Sequence, residues 1–373
     1  YTVAMAYDNG FIYYTGESGW VWRQRDVGTG TMATPEIEQI VESSDLPGKL
    51  TSGDIHTGIR VDIAVHNGVM VQTLEKPKVL LWRDGATGDL LSQVSFNSVP
   101  YGVALDNDGR ALVIVDDQVL AYTQGSSTPQ TVIADGLDGA FRISINRSNG
   151  DIYVGEGGPV YNDCGPYKTP KSYTPDGWNG THPISASGQQ VKRFSADGTL
   201  QQTYGEKGGR PQFGTYVPTS FRLISDLEVA PDGSFWVTED GLWGNRTFPA
   251  SLRRIAADGS LIRDFIMGAD HSPDGRLDPE DPTIAWIPMT NERGLMRCKV
   301  DWENRDFTVL GVYNHSYPGI HQSSADRTGW RIVKHNGKTF FYLKSSGYGR
   351  LITYFDEERD TIYPVGVVAP TLF

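Results

Sequence analysis

The amino-acid sequence predicts an all-β protein, specifically a β-propeller of seven blades with four antiparallel strands in each blade. The 373 residues include 43 Gly, 18 Tyr, 14 Phe and 9 Trp but no long apolar stretch, which is typical of short strands joined by many turns. A unit of two hairpins also recurs with a period of roughly 40–60 residues. Such a unit repeated around an axis avoids exposed sheet edges, which favours a propeller over a two-sheet sandwich.

The repeated unit begins with an apolar strand, turns at Asn-Gly or Asp-Gly, and continues in a second strand rich in Val, Phe, Trp and Tyr. These dipeptides favour tight turns with positive φ, so they join adjacent antiparallel strands. The clear first hairpins lie at residues 3–14, 62–72, 102–115, 142–154, 226–239 and 331–343. The outer half of the unit recurs at residues 79–91, 190–201 and 251–265. A further unit at 283–313 is weaker and lacks a clear first strand, so six blades is the alternative to seven.

Residues 102–115, 190–204 and 226–265 resemble the repeats of NHL-type propellers, a group that includes amidating lyases and gluconolactonase-like enzymes. The pattern covers residues 1–365 and implies a single propeller domain over residues 1–373. Amidating lyases hold zinc with histidines at the start of innermost strands. Tyr101 and Ser225 stand at the matching positions here, so the resemblance implies the fold and leaves that zinc chemistry in doubt.

The twelve residues 270–281 have the spacing of a calcium loop. The oxygen ligands would be the side chains of Asp270, Ser272, Asp274, Asp278 and Asp281 and the carbonyl of Arg276. Ca²⁺ takes six to eight oxygens, and Gly275 permits the sharp turn that closes both halves of the loop around the ion. The run resembles the calcium loops of EF-hands and dockerin repeats. We expect it to be an insertion at about 267–282 between the fifth and sixth blades. The alternative is an acidic surface loop.

The Asn-x-Ser/Thr sites and the calcium loop favour a secreted protein. A net charge of −12 argues against nucleic acid and against an anionic membrane surface. The chain begins at Tyr1 without Met, as expected of a mature protein or of one domain from a larger chain. Asn-x-Ser/Thr sites occur at Asn146, Asn179, Asn245 and Asn314. We therefore expect an extracellular or periplasmic location; Cys164 and Cys298 could pair or stay free.

A ligand site is expected at one mouth of the axial channel, because loops from several blades converge there. Two enlarged loops, at 155–188 with Trp178 and at 240–250 with Trp243, carry aromatic side chains that suit the apolar faces of sugar rings. The alternative is that these rings pack the loops onto the blades. The other candidate ligand-binding residues stand near the starts of innermost strands: Arg60, Tyr101, Arg142, Asp226, Trp330 and Arg331. Carboxylates such as Glu156 and Glu239, where second strands end, could bind a ligand or accept hydrogen bonds from neighbouring blades.

Three functions fit these features. The first is an extracellular, calcium-stabilised propeller that binds a glycan or another polar ligand. The second is an enzyme at the same mouth, a polysaccharide lyase or hydrolase, with His315 or His321 as general base beside Tyr313 or Tyr317. The third is a protein-interaction module of a larger secreted protein. No nucleophile elbow, phosphate loop or dinucleotide fingerprint is present in the sequence.

Overall fold

The computed structural model describes residues 2–16, 19–26, 36–47, 61–157, 188–210, 214–222, 224–239, 250–267, 275–289, 294–314, 330–345 and 349–368. Within these ranges the chain forms 29 β-strands and one 3-10 turn at Ser43–Asp45. No helix in these ranges is long and apolar enough to cross a membrane. The all-β prediction is confirmed.

The strands form seven antiparallel sheets, called blades 1 to 7 in chain order. Blade 1 contains β1 (Thr2–Asp8), β2 (Phe11–Gly16), β3 (Val21–Arg25) and β4 (Ile37–Val41). Blade 2 contains β5 (Val61–His66), β6 (Val69–Leu74), β7 (Val79–Asp84) and β8 (Leu90–Ser95). Blade 3 contains β9 (Pro100–Leu105), β10 (Ala111–Val115), β11 (Gln118–Tyr122) and β12 (Gln130–Ile133). Blade 4 contains β13 (Ala140–Ile145), β14 (Ile152–Glu156), β15 (Val191–Phe194) and β16 (Leu200–Tyr204).

The remaining blades follow the same order with one addition. The short strand β17 (Gly214–Thr215) precedes blade 5, which contains β18 (Ile224–Val229), β19 (Phe235–Glu239), β20 (Ala250–Ile255) and β21 (Leu261–Met267). Blade 6 contains β22 (Arg276–Leu277), β23 (Ile284–Met289), β24 (Gly294–Asp301) and β25 (Asp306–Asn314), with β17 added beyond β25. Blade 7 contains β26 (Arg331–His335), β27 (Lys338–Ser345), β28 (Gly349–Asp356) and β29 (Thr361–Val368).

Seven blades, rather than the alternative six, are therefore present, and the protein has the architecture of a seven-bladed β-propeller. The weak sequence unit at 283–313 is blade 6. Its first strand, β22, has only two residues, which explains why no strand pattern precedes that unit in the sequence. Both β22 residues also belong to the run 270–281, so the second half of the expected calcium loop lies within blade 6 itself.

The dipeptide turns join the strands that the sequence pattern predicts. Three of them, Asn9-Gly10, Asn67-Gly68 and Asn336-Gly337, have φ of 49–50° at Asn and 71–80° at Gly. Positive φ at both central residues matches the twist of the two strands that such a turn connects. The register agrees, because each pair of residues that flanks a turn is directly opposed: Asp8 with Phe11, His66 with Val69, and His335 with Lys338.

Hydrophobic clusters join the blades in chain order. One cluster packs blade 1 on blade 2, and others join blades 2 and 3, 3 and 4, 4 and 5, 5 and 6, and 6 and 7. The innermost strand has two faces, because side chains alternate along a strand. In blade 2, Ile63 and Val65 pack against blade 1. On the other face, Ala64 packs against blade 3 and Asp62 accepts a hydrogen bond from Val103 of that blade.

Candidate axial binding site

Three innermost strands bring polar side chains together at the axis. Asp62 lies on β5 of blade 2, Arg142 on β13 of blade 4 and Asp226 on β18 of blade 5. Arg142 Nη1 is 3.9 Å from Asp62 Oδ2, and Arg142 Nε is 3.9 Å from Asp226 Oδ1. One guanidinium therefore stands between two carboxylates from different blades. We call Asp62, Arg142, Asp226 and the neighbouring Glu228 the axial cluster.

The guanidinium of Arg142 is fixed mainly by the backbone rather than by these acids. Its Nε donates a hydrogen bond of 2.6 Å to the carbonyl of Ser225, whereas both carboxylates lie beyond hydrogen-bond distance. The Arg142 side chain is also buried, and its Cζ lies 4.2 Å from the ring centroid of Phe141. A buried cation held in this way favours negative charge nearby but does not use up the hydrogen-bonding capacity of the acids.

Glycine at position 102 permits the close approach of blades 3 and 4 next to this cluster. A Cβ atom at Gly102 would lie 2.8 Å from the carbonyl oxygen of Phe141 and 3.0 Å from Cα of Arg142. Both atoms belong to backbone, which cannot move aside cheaply. The missing side chain at Gly102 therefore lets Arg142 lie close enough to the axis to reach Asp62 of blade 2.

The two aspartates of the cluster have raised pKa values. Burial raises the pKa of Asp62 to about 6; Arg142 opposes this shift and Asp226 adds to it. The backbone N–H groups of Ile63 and Val103 donate to Asp62 at 3.0 and 2.9 Å. Desolvation also raises the pKa of Asp226, although 48 % of its side chain remains accessible. Asp226 is therefore open to a small molecule but surrounded by protein rather than by bulk water.

Glu228 adds a third carboxylate to the same face of β18, two residues beyond Asp226. Ser144 of blade 4 donates a hydrogen bond of 3.0 Å to Glu228 Oε2. Desolvation raises the pKa of Glu228 to about 7; the hydrogen bond from Ser144 and the charge of Arg147 oppose the shift, and the charges of Asp226 and Asp62 add to it. Arg142 lies between Asp62 and Asp226, and the charge of Arg147 acts on Glu228. Three carboxylates thus face two guanidinium groups, and this excess of acids favours neutral or cationic ligands over anionic ones.

The structure brings together only some of the residues expected to bind a ligand. Arg142 and Asp226 belong to the axial cluster, and the ring of Tyr101 lies 5.8 Å from that of Phe141. Trp330 was expected at the channel, but it is only 1 % exposed and packs between blades 6 and 7. This expectation is wrong because the residue before the innermost strand of blade 7 points into the core. Arg331 is exposed, and its Nη1 donates to the carbonyl of Trp330 at 2.9 Å.

Several expected site residues lie outside the residues that the structure describes. They are Arg60, Trp178 and Trp243 among the ligand-binding candidates and His315, Tyr317 and His321 among the catalytic candidates. Asp270, Ser272 and Asp274, which form the first half of the expected calcium loop, also lie outside. The roles assigned to these residues remain predictions.

The second half of the expected calcium loop is described. Asp278 is buried and forms an ion pair of 3.0 Å with Lys334 of blade 7. Asp281 Oδ1 accepts hydrogen bonds from the backbone and the hydroxyl of Thr283, at 2.9 and 2.7 Å. Among the described residues, no group of three or more His, Cys, Asp or Glu side chains could hold a metal ion. Calcium binding at 270–281 remains a prediction that depends on the first half of the run.

The two carboxylates at the ends of second strands have structural partners. Glu156 Oε1 accepts from the backbone N–H of Asp138 at 2.8 Å and from Lys192 Nζ at 2.7 Å. Glu239 Oε1 likewise accepts from the backbone N–H of Arg222 at 2.5 Å. Each backbone donor lies two residues before the innermost strand of the same blade, so these two backbone contacts tie a blade to itself. The expectation that the bonds come from neighbouring blades is wrong in this respect.

Glu228 and Ser144 were missed as site residues in the sequence. Alternation was the signal that could have identified Glu228, because residues two apart on a strand share a face and Asp226 was already a candidate. No sequence signal pairs Ser144 with Glu228, since they come from different blades and meet only through the packing of β13 on β18.

Comparisons with known proteins add little to this picture. No family model matches the chain, and no curated protein sequence matches it. Among solved structures, a protein from Lactobacillus plantarum is 14% identical with a TM-score of 0.42, and the match covers 85% of each chain. A putative 6-phosphogluconolactonase from Bacteroides uniformis is 10% identical with a TM-score of 0.41, covering 82% of this chain and 83% of that one. Hydrazine synthase from Kuenenia stuttgartiensis is 11% identical with a TM-score of 0.35, covering 78% and 75%. Likenesses this distant carry no argument about function.

Proposed function

We propose that the protein is a ligand-binding propeller that takes a neutral or cationic polyhydroxylated molecule, such as a glycan, at the axial channel. The convergence of Asp62, Arg142 and Asp226 from three blades carries this proposal. A side chain that only stabilises its own blade does not require contacts with side chains from two other blades. Convergence of charged side chains with raised carboxyl pKa values is typical of a functional site.

A sugar fits the chemistry of the cluster. Carboxylates accept hydrogen bonds from adjacent hydroxyls, and Asp226 is accessible enough to do so. The half-buried Tyr101 ring, which lies 5.8 Å from the buried ring of Phe141, supplies apolar surface of the kind that packs against a sugar ring. The excess of carboxylates over guanidinium disfavours uronates and other anions.

Binding can be tested on a glycan array with a matched pair of variants. Asp226→Asn removes the charge with almost no change in shape, and we expect it to weaken binding by about 10- to 100-fold, the value of a hydrogen bond to a charged group. Asp108→Asn is the control, because Asp108 lies in an exposed turn with 82% of its side chain accessible. If the unaltered protein binds no glycan, or if both variants bind alike, the axial cluster is not the site.

The aromatic loops need a separate test. Trp178→Ala and Trp243→Ala should reduce binding on the same array if those loops form the channel mouth. Loss of binding in Asp226→Asn but not in the tryptophan variants would confine the site to the described cluster.

An enzyme at the same position is the second candidate, favoured by Glu228. An accessible carboxyl with a pKa of about 7 can donate a proton at neutral pH, as a glycoside hydrolase requires. Release of reducing ends from neutral polysaccharides, abolished by Glu228→Gln, would support hydrolysis. A uronate lyase would instead create absorbance near 235 nm, which should disappear in His315→Ala or His321→Ala.

The proposal also includes a bound calcium ion and an extracellular location. Calcium held by residues 270–281 would fix β22 and the Asp278–Lys334 pair, which joins blades 6 and 7. EDTA should then lower the melting temperature, and Asp274→Ala should reproduce the loss. An unchanged melting temperature in both experiments would exclude the ion.

An extracellular location supplies the millimolar calcium that such loops use. Recovery of a protein partner instead of a glycan would favour the interaction module.

A further inference from the structure

A cavity lies between blades 4 and 5 on the outer side of the ring, and we call it the outer cavity. Its volume is about 270 Å³, close to the lower limit of about 300 Å³ for sites that bind small molecules. Its wall comes from three parts of the chain: the end of β16, residues 217–221 before blade 5, and the turn between β20 and β21. No residue of the axial cluster lines it, so the two sites are separate.

The outer cavity lies where a turn of blade 5 stays away from the backbone of blade 4. In blades 2 and 4, the turn between the third and fourth strands packs directly on the preceding blade. A Cβ atom at Gly88 or at Gly198 would collide with a carbonyl oxygen in the outer strand of that blade. A Cβ atom at Gly259, in the corresponding turn of blade 5, would meet only the ring of Tyr204, at 3.5 Å. The Tyr204 ring therefore holds the turn away from the backbone of β16, and the cavity lies beside this ring.

Two carboxylates without a cationic partner border the outer cavity. Glu206 and Asp258 are exposed, and neither forms an ion pair within the described part of the chain. Lys207, the neighbour of Glu206 in the chain, lies 3.7 Å from Asp138 instead. No Lys, Arg or His is among the described residues that line the cavity. Hydrogen bonds from the hydroxyl and the backbone N–H of Ser260, at 2.7 and 2.9 Å, lower the pKa of Asp258. Asp258 is therefore charged at neutral pH.

The charges behind the wall do not cancel these two carboxylates. Three guanidinium groups and two carboxylates lie next to residues 217–221 without lining the cavity, and they carry a net charge of +1: Arg210, Arg222, Arg253, Glu239 and Asp264. Glu206 and Asp258 carry −2 at the cavity itself. The surroundings are therefore acidic overall, and only acids among the charged groups reach the cavity. Such a field attracts a cation and repels an anion.

A buried hydroxyl in the wall has no hydrogen-bond partner. Ser220 is 3% exposed, and its backbone N–H and carbonyl both form hydrogen bonds, the carbonyl with Arg253. Its Oγ has no partner within the described part of the chain. A buried hydroxyl left in this state costs stability, and a ligand hydroxyl would satisfy it. Thr203 and Thr219 add two further hydroxyls to the wall, and Val217, which is 40% exposed, adds apolar surface.

We propose that the outer cavity is a second binding site, for a cationic polyhydroxylated molecule of one-ring size such as an amino sugar. The ammonium group would lie near Glu206 and Asp258, and the ring hydroxyls would form hydrogen bonds with Ser220 and the two threonines. The volume admits one ring rather than a chain of rings. This inference does not depend on glycan binding at the axial cluster, because the two sites share no residue.

Titration with glucosamine, followed by saturation-transfer NMR, tests the site. The experiment is performed at about pH 6, where the amine is protonated. N-acetylglucosamine is the matched probe, because it has the same ring without the charge. We expect glucosamine to bind with a Kd in the millimolar range, as for other molecules of this size, and N-acetylglucosamine to bind about 10-fold more weakly.

Two variants and a matched control locate the bound amine. Asp258→Asn should weaken binding of glucosamine about 3- to 5-fold, the value of one exposed ion pair. Asp197→Asn should leave it unchanged: Asp197 has the same position in the turn of blade 4 and accepts the corresponding hydrogen bonds from Ser195 and Thr199, but it does not line the cavity. Ser220→Ala should weaken binding without lowering the melting temperature, because the Ser220 hydroxyl has no partner to lose.

Three results would overturn the proposal: no binding of glucosamine, equal binding of the two sugars, or equal binding by Asp258→Asn and the unaltered protein. Asp226→Asn separates the two sites. Weaker binding of glucosamine in Asp226→Asn but not in Asp258→Asn would assign the amine to the axial cluster, which contradicts the second site and supports the proposed function. Weaker binding in Asp258→Asn but not in Asp226→Asn would support the outer cavity, whatever the glycan array shows for the axial cluster.

Discussion

Two clusters of buried charge in neighbouring parts of the ring differ in how their acids are satisfied. Glu239 Oε2 accepts from Arg210 at 2.6 Å and from Arg253 at 2.7 Å. In the axial cluster, Arg142 stands 3.9 Å from both Asp62 and Asp226. Glu239 is thus enclosed by short bonds to buried arginines, whereas Asp62 and Asp226 form no short bond to Arg142. Asp226 accepts a backbone hydrogen bond of 2.9 Å from Leu227 but stays accessible. A carboxylate whose oxygens all accept hydrogen bonds from the protein stabilises the fold. A carboxylate that keeps an oxygen free to accept a further hydrogen bond can bind a ligand.

The segment before blade 5 completes the Glu239 cluster. Arg253 donates to the carbonyls of Pro218 and Ser220, at 3.0 and 3.2 Å, and its Cζ lies 5.2 Å from the ring centroid of Tyr216. Tyr216 in turn donates to Asp264 at 2.9 Å. Through β17, the same segment also pairs with the outer strand of blade 6. Glu239 therefore helps to fix the segment that links blade 5 to the outer strand of blade 6. Its removal should lower the stability of the fold more than it weakens ligand binding.

Glu239→Ala should have the largest effect on stability and tests the comparison of the two clusters most directly. It leaves the fully buried Arg253 without its nearest acid, and we expect the free energy of unfolding to fall by about 3–5 kcal/mol, as for other broken buried pairs. Chemical denaturation measures this loss. A loss below about 1 kcal/mol would mean that the two clusters do not differ in kind.

Gly102→Ala should have the next largest effect. The added methyl would press on the backbone of Phe141 and Arg142, and we expect a loss of about 1–3 kcal/mol together with weakened ligand binding. Gly366→Ala is a matched control, because no atom lies within 4 Å of a Cβ built there. Equal stability of the two variants would show that blades 3 and 4 need no close approach at the axis.

The pH dependence of stability tests the axial cluster directly. Because its folded-state pKa is raised to about 7, Glu228 binds more protons in the folded than in the unfolded chain between about pH 4.3 and 7. Its contribution is therefore favourable at low pH and is lost as the pH rises through that window. Because Glu228 is exposed, solvent screening keeps the slope well below the ~1.4 kcal/mol per pH unit of one fully shifted group. Glu228→Gln should make the measured slope less negative between pH 5 and 7. An unchanged slope would mean that Glu228 titrates normally.

Asp226→Asn should have the smallest effect on stability. Its charge is partly desolvated and its ion-pair contact is long, so the change in unfolding free energy should stay below about 1 kcal/mol in either direction. The same substitution should weaken binding of the ligand. A large loss of stability in Asp226→Asn would mean that Asp226 stabilises the fold as Glu239 does, and that the two clusters do not differ.

The hairpins could be predicted from the sequence because their causes are local. Asn9-Gly10, Asn67-Gly68 and Asn336-Gly337 set positive φ within two residues, and alternation fixes which side chains share a face. Blade 6 was the exception, since a two-residue first strand carries no alternation to detect.

The axial cluster could be predicted only in part. Arg142 and Asp226 were identified by their position in the repeat, but the same reasoning placed Trp330 at the channel, where the structure buries it between blades. Position along a strand does not by itself state which face of the strand meets the neighbouring blade.

The sequence by itself determined the all-β class, the repeated hairpins and the turns that join them, because backbone torsions and alternation act over a few residues. Only the tertiary structure decided between the predicted seven units and the alternative six. It also brought together Asp62, Arg142 and Asp226, although 164 positions separate the first from the last. It also decided that Glu239 is enclosed while Asp226 remains accessible. These outcomes depend on how the blades rotate around a common axis, and that rotation brings together side chains which no local pattern relates.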